Sequence, residues 1–254
     1  MIKIPFFKKL FCLLPLYSLL SCGLDSILTI DPPIVTYNDP LYSSADFTTW
    51  YCSFLTTETS NLNLSSANFL GTDVYYKIYN NYSSLNSQRS AILAVNSASN
   101  NTASADVMIN TYGYKQLGMN PSLGYSVFVP YTGLNRQVKF RIKKYTGSTD
   151  SDLGAYISLD GGFLTSGDKF VVPFRYGNTK SFDFFDDDED DVYRNRDVEP
   201  SSGDSDYNYS SSASASNTYY VQFFAVAAAF DTENCGMAYS LVLNLGSIPI
   251  IKGK

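Results

Sequence analysis

The chain reads as a mainly β, antiparallel protein carrying a small helical hairpin between strands. Three observations predict this. Apolar and polar residues alternate with period two in run after run, as strands with one buried face require. Tyr and Phe number 21 and 17 of the 254 residues; both favour strands, while the many Ser and Asn favour turns. The spacing turns helical between residues 84 and 117.

Residues 1–21 read as a leader that stands outside the fold. Lys3, Lys8 and Lys9 precede an apolar stretch at 10–20, long enough for an export signal and too short to span a membrane. Pro15 suits a cleaved segment better than a stable span. Leu19-Leu20-Ser21-Cys22 then has the layout of a bacterial lipoprotein signal, although Leu20 is bulkier than is usual before the small residue. Cleavage before Cys22 would make it the N-terminus and the lipid attachment point, and so not a catalytic thiol. Burial of each acyl CH₂ contributes about 0.8 kcal/mol, so two or three chains anchor durably. A plain secreted protein or an uncleaved anchor is the alternative. Residues 22–30 are expected to be a lipidated tether and 31–250 a single domain.

Pro32, Pro33 and Pro40 suit an extended edge segment. Residues 47–57 form the first strong strand, with Trp50, Cys52 and Phe54 on one face. Residues 69–79 form the next, with Val74, Tyr76 and Ile78 opposite Asp73, Tyr75, Lys77 and Tyr79. Leu85, Arg89, Ile92 and Leu93 have helical spacing in 84–97, as do Val107, Met108 and Tyr112 in 102–117. Gly113 and Gly118 mark the end of a helical insertion at about 84–118, and the Asn/Ser-rich residues 96–101 turn between its helices. Strands follow at 125–129, 136–145, 154–159 and 169–175. In the second, Val138, Phe140 and Ile142 predict a buried face and Lys139, Arg141 and Lys143 an exposed basic one. Asp160-Gly161-Gly162 is a turn signal. Residues 183–217, acidic and then Ser-rich, predict a long exposed, flexible loop with little to add to a core. Residues 217–230 and 239–245 form a terminal hairpin.

The hairpin Tyr219-Tyr220-Val221-Gln222-Phe223-Phe224-Ala225-Val226, with Ser240-Leu241-Val242-Leu243, resembles the last two strands of a fibronectin type III domain. Tyr219 would take the tyrosine-corner position, while Trp50 and Asp73-Val74-Tyr75-Tyr76-Lys77 would lie on the second and third strands. That resemblance implies an antiparallel Ig/fibronectin III-like β-sandwich, from which the inserted helices depart. Most of the mature chain also resembles short spirochaetal, treponeme-like lipoproteins. The similarity lies in the loose lipobox and in Phe69-Leu70-Gly71-Thr72-Asp73-Val74-Tyr75-Tyr76-Lys77-Ile78-Tyr79-Asn80. Gln88-Arg89-Ser90-Ala91-Ile92 and Met108-Ile109-Asn110-Thr111-Tyr112-Gly113-Tyr114 add to it. It implies no activity and transfers no site residue.

The chain has no histidine, which excludes Ser–His–Asp triads, Cys–His pairs and imidazole zinc ligands. No Gly-rich phosphate loop joins a strand to a helix. The formal net charge of −6 becomes −9 without the three lysines of the acid-free leader, which argues against a nucleic-acid partner. Six consecutive acids, Asp186, Asp187, Asp188, Glu189, Asp190 and Asp191, could hold a divalent cation weakly. They lack EF-hand spacing, and a solvated charge run is the plainer reading. Tyr75, Tyr79, Tyr82, Tyr112 and Tyr114 could form a contact surface; half-buried strand tyrosines are the plainer reading. Export permits a Cys52–Cys235 disulfide, though two buried free thiols are favoured. The expected protein is a lipid-anchored, non-enzymatic binding or structural module of the cell envelope, on the outer membrane or the periplasmic face of a bacterial membrane. It needs no cofactor, and its partners are the membrane, through the lipid, and another envelope or host protein. The alternative is a solute- or glycan-binding lipoprotein, or a carboxylate-dependent hydrolase using Asp73, Asp160 or Asp168.

Overall fold

A computed structural model describes residues 28–36, 49–143, 154–185, 198–214 and 217–252. The leader, Cys22 and the acids Asp186 to Asp191 lie outside the described residues. The protein is mainly β, with antiparallel sheets and two short helices.

The organising element is β14 (Thr218–Asp231). A strand wet on one face alternates apolar and polar residues; this one runs Val-Gln-Phe-Phe-Ala-Val-Ala-Ala-Ala, so both its faces must be covered. Residues 220–229 are indeed all buried. Along one side β14 pairs antiparallel with β3 (Ala67–Tyr79), from Tyr220 opposite Tyr79 to Asp231 opposite Ala67. Along the other it pairs with β16 (Leu243–Ile251) and then β15 (Gly236–Tyr239). Three short strands complete the seven-stranded sheet beyond β3: β4 (Lys115–Gln116), β6 (Val129–Pro130) and the parallel β13 (Tyr207–Asn208). Gly71 lies where β6 crosses β3, at φ +134°, and a Cβ there would sit 2.2 Å from the Val129 carbonyl oxygen. Only glycine tolerates that approach.

A second, antiparallel sheet has five strands in the order β1 (Ile34–Val35), β2 (Cys52–Leu55), β7 (Gln137–Arg141), β8 (Tyr156–Leu159) and β9 (Gly162–Phe163). Two small ladders pair β5 (Gly118–Asn120) with β12 (Val172–Phe174), and β10 (Thr165–Ser166) with β11 (Lys169–Phe170). The two large sheets face each other across the main core. Trp50, Phe54, Val138, Phe140 and Ile157 meet Tyr76, Ile78, Val221, Phe223 and Ile248 there. Burial of each such side chain contributes about 1.5–3 kcal/mol.

The opposite face of the seven-stranded sheet is covered by the helical insertion. α1 (Tyr82–Ala94) starts at Asn81, whose side chain accepts from the amides of Ser83 and Ser84 at 2.9 and 3.2 Å. α2 (Ala103–Asp106) continues into a π-helical turn, Val107–Thr111. Leu85, Ile92, Ala105 and Met108 pack onto Tyr75, Tyr79, Phe224 and Val226. The insertion is thus the third layer over a sheet that already has a second layer on its other side.

Several expectations are corrected. Arg141 and Lys143 are buried, not exposed; Lys143 pairs with Asp183 at 2.8 Å, and Lys139 sits 3.8 Å over the Tyr51 ring. Of residues 183–217, those described do not stay out of the fold: Phe184 packs in the main core beside Phe182, and 198–214 supply β13. Ile30, at the end of the expected tether, is buried against Ala227 and Ala229. Of the two thiols expected to be buried, Cys52 is, but Cys235 is exposed in the β14–β15 turn, and the two form no bridge. Cys52 lies beside Leu245, several β14 residues from that turn, which leaves the sulfurs too far apart to join.

Candidate functional site

The carboxylates singled out from the sequence stand on separate elements. Asp160 occupies the β8–β9 turn, where it accepts from the Gln137 amide at 2.8 Å. Asp168 lies in the β10–β11 turn. Asp73 is buried in the middle of β3. Its Oδ1 accepts from the amides of Val74 and Phe128, both at 3.1 Å, and Gln116 Nε2 reaches its two oxygens at 3.1 and 3.0 Å. Burial pushes its carboxyl up to about 7, against the opposing pull of the Gln116, Phe128 and Val74 donors. Those bonds tie β3 to the 116–128 segment and leave the carboxylate facing its own protein.

The five tyrosines around the insertion are interior as well. Tyr75, Tyr79 and Tyr114 are buried, and Tyr82 and Tyr112 pack against them. The Tyr79 hydroxyl donates to Gln88 Oε1 at 2.8 Å and lies 3.0 Å from the Tyr114 hydroxyl, which completes the hydrogen-bonded chain. Burial raises the Tyr75, Tyr79 and Tyr114 phenols above the ordinary range. They form the joint between sheet and helices rather than an outward surface.

The open tyrosines lie elsewhere, in a segment expected to stay out of the fold. Asp206 is buried and anchors it: Arg175 donates to both its oxygens at 2.8 and 2.7 Å, and the Tyr76 hydroxyl donates at 2.5 Å. Arg175 also reaches Asp204 at 2.7 Å, and Lys180 closes on the other Asp204 oxygen at 2.8 Å. A carboxylate pair chelated by one guanidinium is geometrically strict, so the backbone on either side is fixed. The Ile78 amide bonds the Asp206 carbonyl, and β13 follows immediately. Farther along, Asn80 braces the chain through both ends of its amide: it accepts from the Ser210 amide and donates to the Ser210 carbonyl, each at 2.8 Å.

This scaffold presents a row of rings at the rim of the main core. Tyr209 meets Tyr207 at 6.1 Å between centroids, Tyr207 meets Tyr219 at 5.9 Å, and Tyr219 meets Phe184 at 5.4 Å. The three tyrosines line a cleft of about 270 Å³ together with Asn80, Ser202 and Ser214. Tyr209 is 48% exposed. The Tyr219 hydroxyl donates to Glu199 Oε2 at 3.0 Å. Burial pushes the Tyr207 phenol up to about 12, with Tyr209 and Glu199 adding to it, so the ring stays a neutral donor at physiological pH.

Tyr219 was legible in the sequence as a strand residue. Tyr207 and Tyr209 were not singled out, although the alternation in Tyr207-Asn208-Tyr209 is a short strand signal inside the Ser-rich stretch. Among the described residues no group of three or more His, Cys, Asp or Glu is placed to hold a metal ion. Nor, among them, is any helix long and apolar enough to cross a membrane. No family model, curated protein or solved structure matches the chain.

Proposed function

We propose that the protein is a lipid-anchored, non-enzymatic binding module of the bacterial cell envelope, with the Tyr207–Tyr209–Tyr219 cleft as its contact site. The observation that carries this reading is the cleft itself: half-exposed aromatic rings held on a scaffold fixed by a buried ion cluster. Rigid aromatic side chains lose little conformational entropy on binding, and neighbouring Ser and Asn supply adaptable hydrogen bonds. The fold proposed for the two facing sheets is an Ig/fibronectin III-like sandwich, extended by the helical layer. The lipobox ending at Cys22 supports attachment through an acylated N-terminus. The internal bonds of Asp73 count against the hydrolase alternative, because a catalytic carboxylate must face its substrate.

Two measurements test this. Labelled palmitate should enter the wild-type protein and not Cys22→Ala; labelling that persists in the variant removes the anchor from the proposal. A photo-reactive amino acid at position 209 should cross-link one defined neighbour in living cells, whereas the same probe at position 62, on the exposed Leu62, should not. Equal or absent capture at both positions rejects the cleft as the contact site.

A further inference from the structure

The chemistry of the cleft narrows its ligand, given the binding-module reading above. Its described lining carries no charged side chain: it consists of three phenols, two serines, one asparagine, one proline and one alanine. The Glu199 carboxylate accepts from the Tyr219 hydroxyl, and the chain as a whole is acidic, with net charge −6. An anionic ligand would find no guanidinium or ammonium among the described lining residues to offset the repulsion of an acidic chain.

A purely apolar ligand fits no better. It would strip water from the phenol hydroxyls and from Ser202 and Ser214 without replacing those hydrogen bonds, at a cost of about 1–3 kcal/mol for each group left unpaired. A quaternary ammonium ion needs rings closed around a centre. Here Tyr207 touches Tyr209 and Tyr219 on either side, at interplanar angles of 61° and 63°, so the rings form a row and not a cage.

What remains is a neutral molecule with a flat C–H face for the rings and hydroxyls around its edge for the serines and phenols. We infer that the Tyr207–Tyr209–Tyr219 cleft binds a neutral saccharide, one or two pyranose units at a time. The volume of about 270 Å³ lies near the lower end of small-molecule sites. Asn80 spends its amide on the Ser210 backbone and the Tyr219 hydroxyl its proton on Glu199, leaving Ser202, Ser214 and the Tyr207 and Tyr209 hydroxyls to meet the sugar.

The test uses the full-length, detergent-solubilised protein and saturation-transfer NMR with diacetylchitobiose, cellobiose and maltose, each alone, and with choline chloride as the cationic probe. At least one disaccharide should receive saturation, strongest on the C–H protons of one ring face. Tyr209→Ala should weaken that binding about tenfold, a difference of roughly 1.4 kcal/mol. Tyr209→Phe keeps the ring and should stay within about threefold. Tyr125→Ala, at an exposed tyrosine outside the cleft, should bind as wild type does. Because Tyr209 is half exposed, unchanged thermal unfolding of its variants separates lost binding from lost folding.

Transfer to choline and to no sugar overturns the saccharide assignment, as does sugar binding that survives Tyr209→Ala. If all the probes fail while position 209 still cross-links one neighbour in cells, the ligand class is wrong and the binding-module reading stands. If both fail, both are rejected.

Discussion

At the scale of single residues, the most consequential finding is a carboxyl enclosed in β3. Asp73 titrates near 7 in the folded protein against 3.8 for the free side chain, because burial disfavours its charge. The sign follows from linkage. Below about pH 4 the group is protonated in both states and its burial costs nothing electrostatic. As the pH rises from 4 to 7 the unfolded chain releases the proton and the folded chain keeps it, so stability falls, by on the order of 4 kcal/mol in all. Asp73→Asn should abolish that slope: near wild type at pH 4.5, more stable than wild type at pH 8. Urea midpoints at the two pH values measure it, and an equal alkaline loss in both proteins would show that Asp73 is not its source. The sequence placed Asp73 on the right face of the right strand. It did not show that the face is interior, because Asp73, Tyr75, Lys77 and Tyr79 together have the polar and amphipathic character of a face open to water.

Among the elements, β13 was the least legible. Two residues cannot outweigh the Ser- and Asp-rich composition around them, and their position depends on Arg175, more than thirty residues earlier. Local pattern contains no trace of such a bond. The helical insertion was visible for the opposite reason: Leu85 and Ile92 stand two turns apart on one long helix, and Val107, Met108 and Tyr112 keep helical spacing after the turn. The ion cluster sorts two neighbouring aspartates. Asp206→Ala leaves a buried guanidinium and the Tyr76 hydroxyl without their partner and should cost roughly 3–5 kcal/mol. Asp204 is more exposed, with 16% of its side chain accessible, and Asp204→Ala should cost about 1 kcal/mol. Chemical denaturation compares them, and limited proteolysis of the Asp206 variant should open residues 198–214 first. Equal costs would mean that Arg175 is held mainly by Asp204.

For the whole molecule, the pattern of facing strands predicted antiparallel sheets sharing a core, and the structure has them. What the pattern could not convey is the stacking order. The seven-stranded sheet lies between the other sheet and the helices; Ala225 packs in the core it shares with the other sheet, while Ala227 and Ala229 let the segment at Ile30 approach closely. The same burial explains the absence of a polar face on β14. The basic alternation of β7 misled for a related reason: long Lys and Arg stems can be enclosed when their charged ends find a carboxylate or an aromatic ring, as Lys143 and Lys139 do.

The position of β14 along the chain has a consequence for biogenesis. The strand that both apolar clusters share begins at residue 218, so a polypeptide emerging N-terminus first, from a ribosome or a translocation channel, holds β3 and most of the other sheet long before their partner arrives. The sheet built on β14 therefore cannot close until the residues from 218 onward have emerged. A nascent chain arrested with residue 217 just outside the channel should be digested by protease throughout, and one arrested after residue 252 should be resistant. Resistance in the shorter chain would show that an earlier part of the molecule can close on its own.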